Sequence, residues 1–166
     1  MNKLRLLALA SAVFLAACAD GGVGGFGNSG GPQAGGGIGS PDDPTSPAYF
    51  QQAVGDRVFF EVDQSTLSAA ARVTLDEQAR WLLGNPDYAA IIEGHADERG
   101  TTEYNIALGA RRASAVQEYL FSQGVALNRL QTVSFGKERP VELCSDEVCY
   151  AQNRRSVTVL QAAAGV

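Results

Sequence analysis

Asp97 and Arg112 are the residues with which this sequence could do chemistry. Asp97 lies in "HADERG", His95 to Gly100, and Arg112 in "GARRASAV", Gly109 to Val116. A guanidinium presents a planar fork that suits a carboxylate, and an aspartate suits an ammonium. Held a short distance apart, the two signs would read an amino-acid head group, with amine and carboxylate on one carbon. Each residue also has plainer uses. Arg112 can snorkel, its stem on the core and its head in water. It can pair with an internal carboxylate for structural reasons. Or it can face a ligand pocket where an anion completes the pairing. Asp97 can be a loop or capping aspartate, or the partner of Arg112 itself.

The helix that carries Arg112 makes these options concrete. With Asn105 at zero and about 100° per residue, Leu108, Tyr119, Val116, Leu120, Ala113 and Ile106 fall in an arc from about −60° to +100°. Glu103, Arg111, Ser114, Gln117 and Glu118 take the other side, so the helix is amphipathic. Arg112 sits at about −20° on that wheel, inside the apolar stripe, while Arg111 points to the polar side. A charge on a core-facing stripe must be compensated. Thr101 is a fitting cap for this helix, with Glu103 in its first turn, and Gly124 a fitting residue past its end at Gln123. Asp97 follows an apolar strand, "YAAIIEGH", Tyr88 to His95. Asp97, the helix's first turn and Asn105 can therefore converge near Arg112 at one end of a sheet.

The remaining elements supply that sheet. "RVFFEV", Arg57 to Val62, is rich in β-branched and aromatic residues and reads as a strand. Ser68 caps a helix running to about Leu83, where "GNP" ends it; Val73, Ala79, Trp81, Leu82 and Leu83 give it apolar surface. "LQTVSF", Leu130 to Phe135, and "RSVTVLQ", Arg155 to Gln161, are further strands. The expected class is α+β, an α/β sandwich with helices on one face of a small mixed sheet. The domain is expected over residues 48–166.

What precedes it has a different composition. Lys3 and Arg5 head a short apolar run that reads as a signal segment over residues 1–17, too short to span a bilayer. It ends in "LAAC", Leu15 to Cys18, which resembles the lipobox of bacterial lipoproteins. That resemblance implies cleavage before Cys18 and lipidation of its thiol. Ala19 in place of Asp resembles an outer-membrane address, with Asp20 one place later. Eleven of the chain's 19 glycines lie between Gly21 and Gly39. Residues 18–47 are expected to be a lipidated N-terminus and a Gly/Pro-rich linker, too poor in apolar groups to fold. As a coil, residues 21–47 would span roughly 30 Å. "GVGGFG", Gly22 to Gly27, fits G-x-G-x-x-G, but no strand and helix flank it, so it is not a dinucleotide site.

Charge and cysteines narrow the function. Loss of Lys3 and Arg5 with the signal leaves 11 basic against 18 acidic residues, a net charge of −7. That argues against nucleic acid, whose binding depends on phosphate neutralisation. Cys144 and Cys149 stand as C-x-x-x-x-C in an exported chain, where an oxidising compartment favours a disulfide. Closing so short a loop stabilises by roughly 2 kcal/mol on the chain-entropy view. The rival is a metal site, for which two thiolates are too few. His95, the single histidine, beside Asp97 and Glu98 suggests acid–base or metal chemistry, but one histidine at a strand end is more often structural. No enzyme, cofactor or metal is expected.

"GHADERGTTEYNIALGARRASAVQEYL" resembles the signature of the outer membrane protein A-like peptidoglycan-binding domain. "VFFEVDQSTL" and "QNRRSV" fit the same family, and the resemblance covers about residues 57–161. The lipobox and linker are similar to those of its lipid-anchored members, which work with the Tol proteins in envelope integrity and cell division. The resemblance implies a βαβα-type domain and a ligand, the meso-diaminopimelate of the peptidoglycan stem peptide. It implies that Asp97 takes the ligand's ammonium and Arg112 its carboxylate, with Asn105 and Leu108 lining the site. Asp63 and Arg155, at matching places in the first and last motifs, are further candidates. It also implies partners: peptidoglycan, the outer membrane through the N-terminal lipid, and the periplasmic protein TolB, with other Tol or outer-membrane proteins besides. The alternative is a paralogue with a structural or interaction role outside the Tol system. Ala110 and Thr102 depart from residues common in the family.

Overall fold

The computed structural model describes residues 39–163. The expected signal segment, Cys18 and the linker as far as residue 38 lie outside the described residues. In chain order the elements are helix α1 (Pro47–Tyr49), continued by a π-helical turn (Phe50–Gly55), then β1 (Arg57–Phe59), α2 (Ala69–Gly84), β2 (Tyr88–His95) and α3 (Thr102–Ser122). A 3-10 turn (Leu127–Arg129), β3 (Leu130–Gly136), α4 (Glu147–Asn153) and β4 (Arg155–Ala162) complete them.

Local chemistry explains the helix starts. Ser68 accepts from Ala71 N at 3.1 Å and Thr101 from Tyr104 N at 3.2 Å, so both expected caps form. Past α3, Gly124 adopts φ 100°, the left-handed turn that glycine permits. Two short helices escape the sequence reading. Ser46 caps α1, with Pro47 at its first position, and Asp146 caps α4. The folded unit therefore takes in residues assigned above to the linker. Ser46 is buried, and the Trp81 indole donates to Pro44 O at 2.8 Å.

The four strands form one sheet in the order β1-β4-β2-β3. β4 runs antiparallel to both neighbours, and β2 and β3 are parallel, joined by the crossover helix α3. This is the mixed sheet expected. β1 is shorter than expected: Phe60 N still bonds Arg154 O at 2.9 Å, but the chain then turns, with Asp63 at φ 57°. The core joins Phe50, Val58, Leu75, Trp81, Leu82, Ile92, Val116 and Leu120 under α2 and α3. Val73 and Leu83, expected to add apolar surface, are exposed. α3 lies close on the sheet because Gly94 faces Gly109; a Cβ at Gly94 would sit 1.8 Å from Gly109 O. That close approach fixes the height of Arg112 above the end of β2.

Candidate functional site

α3 buries Arg112 and exposes Arg111, as the helical period requires. Arg112 is 0 % exposed. Its head group neither snorkels into water nor pairs with a carboxylate. Nε donates to Gln64 O at 2.8 Å, Nη1 to His95 O at 2.8 Å and Nη2 to Glu61 O at 3.1 Å. Three backbone carbonyls, from the β1–α2 connection and the end of β2, thus converge on one side chain. The guanidinium also lies 5.1 Å over the Phe60 ring. Burial lowers it to about 10, opposed by Asp97 and Asp63 nearby, so it is a cation at neutral pH. Of five N–H donors, these bonds use three; one on each Nη is uncommitted among the described residues.

Arg112 borders a cleft of about 370 Å³ at the end of β2. It is lined by Val62, Asp63, Asp97, Arg99, Gly100, Tyr104, Asn105, Leu108 and Arg112. Asp97, Arg112, Asn105, Leu108 and Asp63 are thus brought together. Asp97 does not pair with Arg112. It takes Arg99 Nη2 at 2.7 Å, Arg99 Nε at 3.3 Å, Arg99 N at 3.1 Å and Arg154 Nη1 at 3.3 Å. Burial pushes its carboxyl up, but the bonds from Arg99 and Arg154 outweigh this and hold it below the usual carboxylate range. Asp63 accepts from the Tyr104 hydroxyl across the cleft, which raises the phenol's pKa. Asn105 is buried and donates to Arg99 O at 2.8 Å, fixing the loop that presents Asp97.

Arg155 is not brought to this cleft. It is buried at the start of β4, opposite Phe59, and donates to Asn153 O and Arg139 O. Its chain neighbour Arg154 reaches Asp97 instead, and also bonds Phe60 O at 3.0 Å and Glu147 Oε1 at 2.6 Å. Consecutive residues point opposite ways here, so choosing one of two arginines required knowing which side met Asp97. Arg99 and Tyr104 were also missed. Both stand inside the motif and could have been found as the nearest basic residue to Asp97 and the nearest aromatic residue to the helix cap.

The cysteines and histidine are placed too. Cys144 and Cys149 are joined as a disulfide, Cα–Cα 5.8 Å, which leaves no thiolate for a metal. His95 lies on the other face of the sheet, stacked on Phe135 at 5.6 Å, with Glu93 at 3.5 Å. Burial and the charges of Arg155 and Arg139 depress it to about 4, against the pull of Glu93, so it is neutral. We find no bond joining it to Asp97 among the described residues.

A sheet of this order with helices on one face, carrying a small cleft of mixed charge at the end of β2, has the architecture of the OmpA-like class. The chain belongs to the OmpA family, which it matches over residues 59–154. It is 50% identical over 164 residues to the peptidoglycan-associated lipoprotein (Pal) of Agrobacterium fabrum, covering 96% of this chain and 91% of that protein. It is 57% identical over 117 residues to the peptidoglycan-associated lipoprotein of Rhizobium meliloti, 70% of this chain and 66% of that one. The crystal structure of the Burkholderia pseudomallei peptidoglycan-associated lipoprotein matches with TM-score 0.65 and 40% identity, over 73% of this chain and 98% of that one. The C-terminal domain of Helicobacter pylori MotB shares the fold, with TM-score 0.61 at 20% identity. The chain is Pal-like: these relatives are peptidoglycan-associated lipoproteins that carry the same domain.

Proposed function

We propose that this protein grips peptidoglycan without covalent chemistry, through the free amino-acid end of meso-diaminopimelate. The observation that carries the reading is the shared cleft, in which Asp97 and Arg112 line one cavity without pairing to each other. Asp97 takes the ligand's ammonium, and the uncommitted Nη hydrogens of Arg112 take its carboxylate. Asn105 and Leu108 set the width of the site, and Asp63 adds negative charge on the ammonium side.

In this reading Cys18 carries lipid into the outer membrane, and the Gly-rich segment spans the gap to the wall. Many tethered copies sum weak contacts into a firm attachment. The Tol–Pal system is the setting, and TolB competes with the wall peptide for the same face. Titration with a tripeptide ending in meso-diaminopimelate, against its lysine counterpart, tests the site. The lysine form lacks the second carboxylate, so at least tenfold weaker binding is expected (about 1.4 kcal/mol); equal binding would sink the assignment. Simultaneous, unweakened binding of TolB and the peptide would remove the competition.

A further inference from the structure

The Asp97 carboxylate is already full. Its two oxygens accept four hydrogen bonds, three from Arg99 and one from Arg154. A carboxylate has about four lone-pair positions. An incoming ammonium must therefore displace one of the two guanidiniums. They are not equally free to leave. The Arg154 side chain is 5 % exposed and is tied to Phe60 O and Glu147 as well. The Arg99 side chain is 44 % exposed, and no other hydrogen bond holds its head group among the described residues.

A second seat for Arg99 is built beside the first. Its guanidinium already lies 4.5 Å over the Tyr150 ring, and its Nη1 stands 3.7 Å from Glu147 Oε2. Both partners come from α4, whose first turn is held by the Asp146 cap and the Cys144–Cys149 bridge. The Tyr150 hydroxyl is fixed by Glu98 Oε1 at 2.9 Å. A short movement would carry the cation from Asp97 to Glu147 with its aromatic contact kept.

We propose that Arg99 is a built-in occupant of the ammonium subsite, which the ligand exchanges onto Glu147 and Tyr150. The inference rests on the diaminopimelate reading above and adds specificity to it. Asp97 is never left as a bare charge, and a ligand gains a foothold only if it replaces a guanidinium with a cation of its own. A neutral or acetylated amine cannot do so. Glu147 determines how readily Arg99 leaves.

Calorimetric titration of the full-length chain with the diaminopimelate tripeptide tests this. Arg99→Gln is expected to bind about fivefold tighter, the equivalent of a half-exposed ion pair released. Glu147→Gln keeps an acceptor for Arg154 and is expected to bind weaker by a similar factor. In the Arg99→Gln background the Glu147→Gln change should then have no effect. Weaker or unchanged binding by Arg99→Gln overturns the exchange, as does an equal Glu147→Gln effect in both backgrounds. Asp97→Asn separates the two levels. If it abolishes binding while Arg99→Gln fails to tighten it, the site stands and the exchange falls. If Asp97→Asn binds like the parent, the site itself falls. Thermal melts of each variant confirm that the fold is retained.

Discussion

Arg112 serves the fold at the same time as the cleft. Its three carbonyl acceptors lie on the β1–α2 connection and at the end of β2, which it ties together. Arg129 acts similarly at the far end of β2, donating to Leu82 O, Asn85 O and Tyr88 O. Arg112→Ala should therefore weaken the fold, on the order of 3 kcal/mol or more, because buried carbonyls lose their donor. Arg111→Ala should change stability by no more than about 0.5 kcal/mol. Urea denaturation of both variants checks this, and similar losses in the two would refute the role given to Arg112. Binding assays of Arg112→Ala accordingly need a stability control. The 100° period was enough to tell Arg112 from Arg111. It could not name the acceptors, because every residue carries a carbonyl and these three come from distant turns. His95 gives a second test at this scale. Its protonation is disfavoured in the fold and free in the unfolded chain, so the unfolded state takes up more protons as pH falls from 6.5 to about 4. Stability is level above that window and falls through it. Melting temperatures of the wild type should drop more steeply there than those of His95→Gln; parallel curves would remove the buried neutral histidine.

At the scale of elements, the long amphipathic pieces were legible and the short ones were not. α2, α3, β2, β3 and β4 announce themselves by period, cap and β-branched content. α4 spans seven residues beside a cysteine pair, too few turns for an apolar stripe to register. Its signal was the acidic start, Asp146 and Glu147. α1 had one as well, serine followed by proline at Ser46–Pro47. The missed helix is the one that sets Glu147 and Tyr150 against Arg99 at the edge of the cleft, so missing it hid the surroundings of that arginine. Removing the bridge with Cys144→Ser and Cys149→Ser should cost about 2 kcal/mol, measured by denaturation under non-reducing conditions. The loss should be accompanied by faster amide exchange in α4 than in α3; unchanged α4 exchange would show that the cap alone holds it. The helix–sheet contact at Gly94 and Gly109 leaves no room for a side chain. Gly94→Ala should destabilise by about 1–3 kcal/mol or more, since the obstacle is backbone, and a neutral effect in the same assay would contradict the packing.

Taken whole, the folded unit begins earlier than its composition suggests. Residues 40–47 look like the end of a polar linker, yet Ser46 is buried and Pro44 is bound by Trp81. A segment of this kind is decided by a partner far along the chain, which composition does not register. Trp81→Phe removes the indole donor and keeps an aromatic ring between Phe50 and Tyr88, 5.0 and 5.3 Å away in the native stack. Subtilisin should then cut residues 39–47 faster while the rest of the domain resists as before. Equal cleavage would mean that the Pro44 contact holds nothing.

The position of that contact bears on the tethering role proposed above. Pro44 is fastened at Trp81, which packs tilted against Tyr88 at the start of β2, while the cleft lies past His95 at its end. The two attachment points are thus separated by the length of one strand, roughly 25 Å. If the proposed function holds, a pull between membrane and wall would run along β2, which is flanked by β4 and β3 on either side. It would load their hydrogen-bond ladders in shear, all rungs together, instead of peeling them one at a time.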